Sequence, residues 1–271
     1  MDELETGRLE SSRALRIIVP IGIGILFLAF WEFGVRHFGV SKFVLPPPSS
    51  IAEALVDDFG SLSQSLWNTL RVTLEAFFTA LILGVLLAVL FARSKLLEMS
   101  LFPYAVILQV TPVVSIAPLI IIWVGFDHLE RALLILATIV AFFPILSNTT
   151  MGLKSADHNL RNLFDLYHAS SWQRLIELEF PSALPYLLAG VKVSGGLALI
   201  GAVVAEFVAG SGSGTGLAWR IIESGNRLNI PRMFAALLLL SLLGVSIFFL
   251  LTAIENRLLR HWHESAVRRE N

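Results

Sequence analysis

The chain has 271 residues, 55% of them hydrophobic and only 15% charged, with a net charge of −1. Soluble domains carry about 25% charged residues, so most of this chain is built for lipid, and nothing in its bulk charge points to a nucleic-acid partner. It has no cysteine, which excludes disulfides, thiolate metal sites, catalytic thiols and iron–sulfur ligation.

Arg8, Arg13 and Arg16 stand before or at the start of the first apolar stretch, 17–35. That stretch is near the roughly 20 residues that span a bilayer, and no small-residue cleavage site closes it, so a retained span is predicted over 14–38. Leu45-Pro46-Pro47-Pro48 then predicts a stiff extended segment. Ser50 and Glu53 fit a capping box for a short helix with Ile51, Leu55 and Phe59 on one face. Further spans are predicted over 70–91, 101–126, 132–151, 186–208 and 234–254. Pro103, Pro112 and Pro118 interrupt the third and Pro144 the fourth. Proline at membrane depth is tolerated where helices pack or line a cavity, so these two spans are candidates for a pathway wall.

Six spans put both termini on one side. With the N-terminus inside, the inner segments hold Arg8, Arg13, Arg16, Arg93, Lys95, Lys154, Arg161, Arg174, Arg257, Arg260, Arg268 and Arg269. The outer segments hold Arg36, Lys42, Arg131, Arg220, Arg227 and Arg232. The bias predicts cytoplasmic termini and a cytoplasmic loop at 154–185. The chain reads as one six-span domain over 14–256, flanked by tails 1–13 and 257–271. The 154–185 loop is the one long polar stretch between two spans. Pro181 and Pro185 are expected to stop its helix and start the next one.

Gly210 to Gly216 lacks the Gly-Lys-Ser/Thr ending of a phosphate-binding loop, so it reads as a turn at the outer surface and no ATP site is expected on this chain. Glu206 ends an apolar run. It is either an interfacial acid with water access or a structural pair, or an acid at the mouth or gate of a pathway. Gln109, Thr111, Pro112 and Ser115 in the third span, and Ser194 in the fifth, either pack helices or line a polar route. Lys192 reads as a snorkelling cation. The six histidines lack the i, i+4 pairing of a helical zinc site, and no catalytic set assembles. No metal site and no enzymatic activity are therefore expected.

His168-Ala169-Ser170-Ser171-Trp172-Gln173-Arg174-Leu175, Leu178 to Tyr186 and Ala189-Gly190-Val191-Lys192 resemble the cytoplasmic "EAA" loop of bacterial ABC importer permeases of the nitrate/sulfonate/taurine branch. The Leu45 to Pro48 run and Val203-Val204-Ala205-Glu206 add to the resemblance. Asn162, Leu163 and Phe164 stand at the family's Glu-Ala-Ala positions and His168 at its glycine, with Asp165 a candidate stand-in for the glutamate. The resemblance implies an all-α, six-span type I importer permease (MetI-like) fold in a bacterial inner membrane. It implies a homodimer whose two loops, through coupling helices at about 162–175, dock a dimer of a separate ATPase. That ATPase would carry the ATP and Mg, and an extracytoplasmic binding protein would deliver the solute. The coupling residues would be Asn162, Asp165, His168, Ala169, Ser170, Trp172, Arg174, Pro181 and Pro185. The solute would be a small anion of the nitrate, sulfonate or taurine type, or a pyrimidine precursor of thiamine. The alternative from the residues alone is an ion-coupled secondary transporter, which would want paired buried acids or broken helices in matching halves.

Overall fold

The computed structural model describes residues 13–210 and 216–260. Arg8, most of the glycine run, His261, His263, Arg268 and Arg269 lie outside the described residues. Within them all regular structure is helical, as lipid requires, because a helix satisfies its backbone polar groups internally.

The helices are α1 (Arg13–His37), α2 (Pro48–Asp57), α3 (Phe59–Arg93), α4 (Lys95–Val110), α5 (Val113–Val124), α6 (Leu129–Lys154), α7 (His158–Leu166), α8 (Ser171–Arg174), α9 (Phe180–Ala209), α10 (Leu217–Asn226) and α11 (Ile230–Leu259). Five segments are long and apolar enough to cross a membrane, and the count reaches six if α4 and α5 together form one span. The expected third span is thus two helices meeting at 104°. Pro112 donates no backbone hydrogen bond and pushes the residue before it out of the helical region. Thr111 accordingly sits at φ −71°, ψ 124°.

Contacts divide the chain into two compact units, residues 1–61 with 221–236, and residues 62–220 with 237–271. In the first unit, α2 opens at Pro48 behind an extended Pro47, three residues earlier than expected, and the Ser50–Glu53 capping box does not form. Proline suits that first position because its missing N–H would have had no helical partner. Glu32 of α1 takes over the capping. Its carboxylate accepts the Ser49 N–H at 3.0 Å and the Ser49 hydroxyl at 2.9 Å. The expected apolar face also breaks at Asp58: Ile51 is 7% exposed, while Phe59 opens α3 and is 61% exposed. Arg232 closes this unit with an ion pair to Asp58 at 3.4 Å and a hydrogen bond to Ser61 at 3.1 Å.

In the second unit, α6 and α9 pack along a seam of small residues. Ala137, Ala141, Ala198 and Ala202 are all fully buried. At Gly190 an added Cβ would lie 2.8 Å from the Pro144 carbonyl oxygen, and at Gly201 it would lie 2.8 Å from Ala137 Cα. Only glycine allows the two backbones this close. Ser194 is fully buried in the same seam and donates to the Ala141 carbonyl at 2.6 Å. Lys192 pairs with Glu255 of α11 at 2.6 Å instead of reaching alone for the surface.

Pro181 and Pro185 do not stop the helix. Ser171–Ala209 runs as one 39-residue helical segment. Its turn Leu175–Glu179 is widened to π geometry, with the Phe180 N–H donating to the Leu175 carbonyl. A proline ring collides with the carbonyl four residues back, and a wider turn just before Pro181 relieves that collision.

Candidate functional site

The 154–185 loop forms a helix-turn-helix. Asp157 caps α7 by accepting the Asn159 and Leu160 N–H groups at 2.8 and 3.1 Å. The coupling helix expected over 162–175 is divided: α7 ends at Leu166 and α8 starts at Ser171. His168 makes the division. Its N–H donates to the Asp165 carbonyl and the Ala169 N–H to the Phe164 carbonyl, at 3.1 and 3.0 Å. This is the hydrogen-bond pattern that ends many helices with a left-handed residue. His168 accordingly lies at φ 53°. The position where the resembling family carries glycine is therefore one whose backbone favours glycine. His168→Gly is expected to stabilise this turn by about 1 kcal/mol, slowing amide exchange at Ala169 about fivefold. Unchanged or faster exchange would show that the histidine side chain compensates the turn.

Ser170 and Gln173 form a capping box that starts α8. The Ser170 hydroxyl accepts the Gln173 N–H at 3.2 Å, and the Gln173 side chain accepts the Ser170 N–H at 2.8 Å. The loop's outer face is apolar and exposed. Leu160, Leu163 and Leu166 follow one another at three-residue intervals along α7, and Tyr167, Trp172 and Ile176 continue the surface, with Tyr167 80% and Trp172 65% exposed. Asn162 and Asp165 are also exposed, and Ala169 is half-buried.

The loop's inner face is ionic. Arg174 lies 3.3 Å from Asp165 and 3.3 Å from Glu179. Glu179 also lies 3.5 Å from Arg93 at the end of α3, and it is only 7% exposed. Beside them Glu98 pairs with Lys95 at 3.3 Å and with Lys154. The second Arg161 terminal nitrogen donates to the Leu153 carbonyl at 3.0 Å. Glu179, Arg93 and Glu98 were not among the residues singled out from sequence. The Arg93–Glu179 and Glu98–Lys154 pairs join different helices, so no local spacing marks them. Pro181 and Pro185 lie just beyond this cluster, half-buried at the start of α9.

Glu206 lies at the other end of α9, 2% exposed. It accepts the Thr69 hydroxyl at 2.7 Å and the Ala218 N–H at 3.0 Å, while Thr69 Oγ1 accepts the Leu217 N–H at 2.9 Å. An acid and a hydroxyl together thus occupy the N-terminus of α10, where the helix dipole favours negative charge. Gly216 lies against this carboxylate, leaving no room for a Cβ. A narrow polar crevice next to it is lined by Asn68, Arg71, Glu75, Glu130 and Glu206. Arg71 lies 2.8 Å from Glu75 and 3.9 Å from Glu130.

The remaining pathway candidates do not converge. Gln109, Pro112 and Ser115 are exposed along the α4–α5 bend. Thr111 returns its hydroxyl to the Ile107 carbonyl at 2.7 Å. Ser194 is committed to the α6–α9 seam. None of them lines the crevice beside Glu206.

Several apolar helices of membrane length, with a folded polar loop continuous with one of them, mark an integral membrane protein. The chain belongs to the family of binding-protein-dependent transport system inner membrane components, whose model matches residues 80–260. Residues 80–260 take in the loop and the α6–α9 seam. The chain is 37% identical over 245 residues to a riboflavin transport system permease protein of Chloroflexus aurantiacus, covering 89% of this chain and 88% of that one. It is 30% identical to a formylaminopyrimidine transport permease protein of Halalkalibacterium halodurans, covering 91% and 97%. A taurine transport system permease protein of Escherichia coli is 25% identical over 97% and 96%. The chain is thus an ABC transport permease of an inner membrane, and the ion-coupled alternative gives way.

Proposed function

We propose that two copies of this chain form the translocation pathway of an ATP-driven importer, with both termini and the 154–185 loop in the cytoplasm. Two ATPase subunits dock on the loops and an extracytoplasmic binding protein delivers the solute. The apolar face of the loop carries this reading: Leu163, Leu166, Tyr167, Trp172 and Ile176 are exposed on a segment whose other side is tied to the helix bundle by ions. Large apolar groups left in water on an otherwise polar, well-capped loop mark a protein-binding surface. The ATPase contacts bias the pathway to the extent that they differ between its two states.

The solute we propose is an uncharged nitrogen heterocycle, in preference to an inorganic or sulfonate anion. Relatives at 30% identity or above carry riboflavin and formylaminopyrimidine in their names. The crevice beside Glu206 supports the same choice, since it sets one guanidinium among three carboxyl groups, a poor route for an anion. Expression with a tag and gentle extraction tests the assembly, and uptake into reconstituted vesicles containing the co-purified ATPase, supplied with the binding protein, tests the solute. Stoichiometric ATPase with competition by riboflavin or an aminopyrimidine is the expected result. Absence of the ATPase would overturn the docking assignment, and competition by nitrate or taurine alone would overturn the solute.

A further inference from the structure

Between the ends of α3 and α6, the start of α4 and the polar loop lies a cleft of about 450 Å³ that the docking surface does not use. Its floor is apolar, with Phe91 and Leu153 each 1% exposed. Its walls carry Lys95, Lys154, Arg161 and Arg174 against Glu98 and Glu179. Arg93 and Asp165 extend this cluster by one charge of each sign, so the balance stays at two net positive charges.

Helix ends account for some of these cations. Arg93 and Lys154 lie in the last turns of α3 and α6, where the dipole favours positive charge. Arg161 and Arg174 of the loop turn toward the same space, where Arg161 donates to the Leu153 carbonyl and Arg174 pairs with Asp165 and Glu179. Their donors are not all used up. Arg161 Nε is buried and has no hydrogen-bond acceptor, whereas Arg174 Nε and one Arg93 terminal nitrogen already lie 3.3 and 3.5 Å from the Glu179 carboxylate, outside hydrogen-bond geometry. A cleft lined by two guanidinium and two ammonium groups suits a tetrahedral oxyanion, which can accept from several N–H groups at once. Basic pockets between membrane helices at the cytoplasmic surface are where phosphate headgroups bind.

We propose that this cleft binds a phosphate group, carried either by an anionic lipid headgroup or by a soluble phosphate compound. Bound there, the phosphate joins the ends of α3, α4 and α6 to the polar loop by accepting from Arg161 and Arg174, with Lys95 and Lys154 adding charge. Its role is separate from solute transport and from the exposed apolar face of the loop.

The full chain, purified in detergent, is titrated with micelles containing phosphatidylglycerol, with phosphatidylcholine as control, and separately with inorganic phosphate. The readouts are the unfolding temperature and native mass spectrometry. A rise with phosphatidylglycerol alone assigns a lipid headgroup, and a rise with inorganic phosphate assigns a soluble ligand. Arg161→Gln is expected to weaken the effective probe about tenfold. Lys95→Gln, at a side chain 74% exposed and so harmless to folding, is expected to weaken it about threefold. No response of the wild-type chain to either probe would overturn the proposal, as would responses undiminished in both variants.

Discussion

Replacing Tyr167 and Trp172 together by alanine is expected to abolish capture of the ATPase while leaving the unfolding temperature of the membrane part unchanged. Both rings are exposed, and among the described residues neither has a ring partner. Buried aromatic anchors at protein interfaces contribute about 2 kcal/mol or more each, so the double variant should bind roughly a thousandfold more weakly. Arg174 is the less discriminating choice. It is tied to Asp165 and Glu179, so its removal would loosen the loop as well as the interface. Co-purification of the double variant at the wild-type level would remove the docking surface from this face of the loop.

Glu206→Leu is expected to destabilise the chain by about 3 kcal/mol or more, seen as a large fall in unfolding temperature and in yield of folded protein. The substitution removes the acceptor for the Thr69 hydroxyl and the Ala218 N–H in a site only 2% exposed. Each buried donor left without a partner costs about 1–3 kcal/mol. Glu206→Gln keeps one oxygen for the Ala218 N–H and can donate to Thr69 Oγ1, so most of the fold should survive. Transport by that variant then separates two roles. Wild-type transport would confine Glu206 to holding α10, whereas a folded but inactive variant would put its charge on the transport route.

Much of the helix layout was legible from sequence. Apolar runs of bilayer length mark α1, α3, α6, α9 and α11 because lipid imposes one solution on any segment crossing it. The 104° corner between α4 and α5 was not legible. Pro112 announces an interruption, but packing sets the direction in which the chain resumes. The proline rule failed at Pro181 and Pro185 because it considers α geometry alone, while Leu175–Glu179 widens and carries the helix through. Candidate residues differ in how far the sequence can place them. Trp172 and Ser170 belong to a contiguous motif. The alternatives for Glu206 and Ser194 could be weighed only once their partners, Thr69 and Ala141, came within reach through the fold. The ion pair of Glu179 with Arg93 was hidden most completely, since it joins residues far apart in sequence.

The seam between α6 and α9 has a mechanical consequence. The polar loop leaves the membrane part from the end of α6 and re-enters it at the start of α9. These are the two helices whose backbones meet at Gly190 and Gly201. With so little side-chain padding between them, they resist sliding or separating. A torque applied to the loop is therefore expected to turn the pair as one stiff body.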